Sequence, residues 1–192
     1  VRTALLLAGI LGIICAAAGA VFSPWLLDIM SVPEEVRTGS LIYCRIYFGG
    51  IWAMILYNMM AGVLRAFGDS KKPLYVLVVC SVVNIVADLI LVGLLHTGVG
   101  GAAAATVLSQ IVSVVLTAYF LVKSDFLEEK IGIRTMRICK EHMGMMINKG
   151  FPLALQSMLF PIANSIVQAS INTMGTDSIA AWGICDKLDL LI

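Results

Sequence analysis

One residue of this chain is expensive where it stands. Asp88 lies inside a long apolar run, roughly 10 Å below its nearer end at 1.5 Å per residue. A charged carboxylate at such depth in a bilayer costs about 2.5–3.5 kcal/mol, so it is expected to face a cavity or a partner. Asn84 precedes it by one helical turn and points the same way. Asn58 and Thr106 belong to neighbouring runs at depths matching Asn84 and Asp88 respectively. A carboxylate, two amides and a hydroxyl in a low dielectric make a hard, oxygen-rich site, able to hold Na⁺ at Asp88 and Asn84 or a proton on Asp88 itself. The alternative is that these groups satisfy one another between helices. Gln110, Asn164, Gln168 and Asn172 are also polar within apolar runs. The last three recur every fourth residue on one helical face, as packing groups or as the lining of a substrate cavity. Asp186 and Asp189, in the last apolar stretch, cannot be placed by spacing.

The elements that hold these residues are membrane spans. The chain has 192 residues, of which 60% are hydrophobic and 13% charged. A soluble domain of this length could not bury so much apolar surface. Crossing the hydrocarbon core takes about 20 apolar residues as a helix. Five runs qualify, at Thr3–Leu27, Leu41–Leu64, Pro73–Leu95, Gly101–Val122 and Phe151–Met174, and a sixth begins near Ser178. None shows the alternation of a barrel strand, which leaves an all-α, polytopic helix bundle. The chain starts at Val1 with no preceding targeting signal and ends part-way through an apolar stretch, which reads as an internal fragment.

Charge gives the orientation. The connections on one side carry Arg2, Arg65, Lys71, Lys72, Lys123, Lys130, Arg134, Arg137, Lys140 and Lys149, and those on the other almost nothing basic beyond Arg37 and Arg45. The basic side is cytoplasmic by the positive-inside rule, so the first span runs outward. The long connection 123–149 mixes basic and apolar residues and is expected to include an amphipathic cytoplasmic helix, the one obvious domain boundary. A net charge of +1 gives no reason to expect nucleic acid. Five scattered cysteines and two lone histidines, His96 and His142, read as apolar fillers and solvated side chains rather than metal or disulfide chemistry.

The stretches GVLRAFGDSKKP, NIVADLILV and GVGGAAAATVLSQ, followed by GFPLALQSMLF and MGTDSIAAWGI, resemble the multidrug and toxic compound extrusion (MATE) transporters in order and in loop length. The resemblance implies a twelve-helix protein of two six-helix lobes in a parallel repeat. Residues 1–122 would supply helices three to six of the first lobe, 123–149 the linker, and 150–192 helix seven and part of helix eight. It further implies a multi-pass protein of the plasma or inner membrane, functional as a monomer and not an enzyme. Such a protein exports cationic or amphipathic organic compounds in exchange for Na⁺ or H⁺, with no other cofactor. The family's first-lobe cation site maps onto Asn58, Asn84, Asp88 and Thr106, and is completed there by an aspartate on a first helix outside this chain. Gln156 to Pro161 contains no acid, so a second-lobe cation site is not implied. Arg65, Gly68, Asp69 and Pro73 sit in a cytoplasmic turn and read as helix-end and turn chemistry with a structural or gating role. A lipid-linked oligosaccharide flippase of the same superfamily is the alternative, and it would be expected to line its cavity with basic residues. An intramembrane aspartyl protease would need two facing carboxylates, where the complete spans offer one deep aspartate. A purely structural or receptor-like bundle would show no response of stability to Na⁺ or pH.

Overall fold

A computed structural model describes residues 1–124 and 140–189. Every regular element in the described residues is helical: α1 (Arg2–Ile29), α2 (Glu34–Ala66), α3 (Lys71–Asp88), α4 (Gly98–Val122), α5 (Lys140–Asn172) and α6 (Thr176–Asp189). Among the described residues, five helices are long and apolar enough to cross a membrane. Two differ in extent from the apolar runs. Helix α2 begins at Glu34, seven residues before the apolar run at Leu41, because Glu34 and Glu35 favour a helix N-terminus. Helix α5 continues unbroken from Lys140 through Pro152 and Pro161, so the last ten residues of the basic connection extend the span itself. The remainder of the expected amphipathic segment, 125–139, lies outside the described residues.

Helices α1 to α4 form one packed block in which α2 is central, touching α1 and α4, while α3 leans mainly on α4. Close approach is encoded by small side chains. On α4 the buried residues Gly101, Ala105, Ser109, Ser113, Thr117 and Leu121 recur at every fourth position, a single row facing inward. Ser109 and Ser113 donate to Thr106 O and Ser109 O on their own helix, at 2.8 and 3.0 Å. Across the row, a Cβ on Gly50 of α2 would collide with the Val107 side chain. A Cβ on Gly12 of α1 would come within 2.9 Å of the Trp52 Cα. The end of the block that charge assigns to the cytoplasm is sealed by Leu5, Met60, Leu64 and Leu121.

Proline and helix ends account for the irregular backbone. Pro24 removes the donor that would reach Ala20 O, and the fully buried Ser23 hydroxyl replaces it at 2.9 Å. Helix α1 then closes with Val32 N bonded to Leu27 O and Ser31 N to Asp28 O, with Ser31 at φ 51° in the place glycine usually holds. After Asp88 the third span changes register, running as a π-helix from Leu89 to Leu94 that ends with His96 at φ 50°. Nothing in the apolar periodicity foretells that change.

Candidate cation-coupling site

Asp88 occupies the last α-helical position before the π segment. Single π-turns inside spans concentrate at functional sites, because the wider turn re-aims side chains at the cost of regular hydrogen bonding. Asp88 is half-buried, and its Oδ1 is buried with no hydrogen-bond partner. Asn84 Nδ2, one turn earlier, is in the same condition. An unpaired buried polar atom costs about 1–3 kcal/mol, and one helical face here carries both an acceptor and a donor in that state.

The other two residues expected at this site do not close around it. Asn58 is exposed and its amide donates to Met54 O of its own helix at 2.9 Å. Thr106 likewise donates backward, to Ala102 O at 3.0 Å. The structure instead brings Thr106 together with Gln110 in a cleft between α2 and α4, lined also by Tyr47, Gly50 and Met54. The cleft has room for about one water. Gln110 Oε1 is buried there without a partner.

Sequence reasoning missed a tyrosine pair. Tyr43 and Tyr47, one turn apart on α2, stack with ring centres 5.9 Å apart and planes at 11°. Tyr47 lines the Thr106–Gln110 cleft. The pair's only signal was two tyrosines at helical spacing in YCRIY.

On α5 the three evenly spaced amides part company. Asn164 is exposed, Gln168 donates to Asn172 Oδ1 at 2.9 Å, and the buried Asn172 donates to Met30 O of α1 at 2.7 Å.

The family model described as MatE matches residues 1–90. The probable multidrug resistance protein YoeA of Bacillus subtilis is 31% identical over 98% of this chain and 42% of its own length. A MOP superfamily transporter from Pyrococcus furiosus, described as having a binding pocket of reverse polarity that suggests a different function, superposes with a TM-score of 0.81. That match has 26% identity and covers 99% of this chain and 43% of that one. The chain belongs to the MATE family. A multidrug resistance MATE transporter in its inward-facing conformation also matches, with a TM-score of 0.70 and 27% identity over 88% of this chain and 36% of that one. This MATE chain is therefore part of a multi-pass membrane protein, and it spans about 42% of the length of YoeA.

The turn between α2 and α3 of this MATE chain is built from backbone outward. Gly68, at φ 87°, lets Asp69 N reach Leu64 O and Gly68 N reach Arg65 O, both at 3.0 Å. Asp69 then accepts Lys72 N at 3.1 Å and pairs with Lys72 Nζ at 2.8 Å. Pro73 follows in the first turn, where its missing N–H leaves no bond unmade. The side-chain bond from Lys72 holds the Asp69 carboxyl below its ordinary value of 3.8. A carboxyl depressed by folding adds stability above its unfolded value, and that stability is lost as pH falls through the folded one. Asp69→Asn is thus expected to narrow the difference between neutral and acid stability below about pH 4. Thermal unfolding of wild type and variant at both pH values measures it, and parallel curves would contradict it.

Proposed function

We propose that this chain is part of a secondary active antiporter that exports cationic or amphipathic organic compounds in exchange for Na⁺ or H⁺. Residues 1–122 belong to one lobe, 150–192 begin the second, and 123–149 join them. The observation that carries this reading is the buried, unpartnered carboxylate oxygen of Asp88, beside the unpartnered amide of Asn84. A hard cation needs oxygen ligands and a proton needs a base, and Asp88 supplies either. Asn58 and Thr106 are the further ligands this reading assigns, and both would have to release their present backbone acceptors or offer their oxygens alone. Gln110 and Asn164 lie toward the cargo. Coupling follows if the ion and the cargo favour different conformations, since each then shifts the population the other finds.

The test uses the full-length protein in proteoliposomes with a fluorescent organic cation outside. An inward-to-outward Na⁺ gradient and a pH gradient are imposed separately. Accumulation driven by one gradient and abolished by its matching ionophore is the expected result. Movement indifferent to both gradients would defeat the antiport reading. An anionic dye transported in place of the cation would reassign the cargo.

A further inference from the structure

Among the described residues, α5 and α6 meet the α1–α4 block at α1 alone. The side-chain bond across that meeting joins residues 142 positions apart: Asn172 Nδ2 to Met30 O, at 2.7 Å. Both ends of it are prepared. Asn172 is only 7% exposed, and its own oxygen is held by Gln168 Nε2, which fixes the amide with its nitrogen toward α1. Met30 is the cap residue of α1, and its carbonyl points past the helix end because Ser31 turns the chain through a left-handed conformation. The tip that carries it follows Pro24, where the α1 ladder is already interrupted and the loose carbonyl is kept satisfied by Ser23. The tip itself stays tied to α2 through the Asp28–Arg37 ion pair, so it is α5, which meets the block only there, that is released when the Asn172 bond opens.

Hydropathy and charge place the ends of α1 and α5 on the outer side of the membrane. We infer that Gln168, Asn172 and the Met30 carbonyl form a latch that holds the outer side of the transporter shut, and that opening outward breaks it. The inference rests on the antiport reading above, since it assigns these residues a place in an alternation between two faces. It removes Gln168 and Asn172 from the cargo lining and makes them positioning residues. The acceptor is a backbone carbonyl, so only the amide side can be removed by substitution.

Spin labels at Glu35→Cys and Asp177→Cys, both exposed and near the outer ends of α2 and α6, report the outer separation in the full-length protein with its native cysteines replaced. Pulsed dipolar spectroscopy is run with and without the transported cation, at two pH values. Wild type is expected to show a short and a long distance. Asn172→Ala should move the ratio toward the long one by about threefold or more, the scale of one interhelical hydrogen bond in a membrane. Asn172→Asp, which keeps the size and loses the donor, should move it at least as far. Gln168→Ala should move it less in the same direction, and serves if the Asn172 variants express poorly. Two distances whose ratio is unchanged in all three variants would overturn the latch and leave antiport standing. A single distance under every condition would overturn both. Lower thermal stability with an unchanged ratio would make the bond merely structural, and would also overturn the latch.

Discussion

Full-length protein carrying Asp88→Asn is expected to reach the membrane in wild-type amounts and to lose ion-driven export, by about 100-fold or more if the ion and cargo are coupled at the upper end of the usual range. The substitution keeps the shape of the side chain and its place at the α-to-π junction. It removes only the charge and the titratable proton. Insertion should not suffer, because a neutral amide costs less in hydrocarbon than a carboxylate. Asn84 keeps its position a turn away, so the polar face survives without the one group that can bind a proton or neutralise Na⁺. The measurement is export of an organic cation from energised vesicles, beside immunodetection of the protein in the membrane fraction. Export at the wild-type rate would remove Asp88 from the coupling machinery.

The second large effect concerns stability. Gly12→Leu should lower the stability of the helix bundle by about 1–3 kcal/mol, the usual range for overpacking a tight interface. A Cβ at Gly12 would lie 2.9 Å from the Trp52 Cα, so the obstacle is backbone of α2 rather than a side chain that can turn away. Relief requires the two helices to separate along their length. Gly9→Ala on the same helix is the control, because a Cβ there meets nothing within 4 Å. Alanine at that position should leave stability unchanged or raise it slightly through helix propensity. Thermal denaturation of the two variants in one detergent distinguishes them. Equal unfolding temperatures would mean that α1 and α2 are not packed as closely as the glycine contact indicates.

The spans were legible because an apolar run of sufficient length has one structural outcome in lipid. Depth was legible too, since counting residues along a helix measures it. Azimuth was not. Asn58 stands at the right height for Asn84, yet α2 packs on α1 and α4 and barely on α3, so Asn58 stays exposed and its amide turns back to Met54 O. Which face of a helix meets which neighbour depends on the small residues that let backbones approach, and those belong to pairs of helices rather than to either one. The π segment after Asp88 left no mark in the apolar pattern, because LILVGL suits either register. The partner of Asn172 was beyond reach for a simpler reason: it is a backbone carbonyl, and every residue has one.

The inward row on α4 bears on what an entering water molecule could bind inside the block. Ser109 and Ser113 spend their donors on their own helix, so they offer an entering water little to compete for. The seam between α2 and α4 is held there by contact between surfaces, not by exchangeable bonds across it. Water entering this seam is therefore drawn past the two serines to the Tyr47–Gln110 cleft and the buried Thr117 hydroxyl, which has no partner of its own. The parts that must yield to hydration are confined to the groups that have no such internal partner.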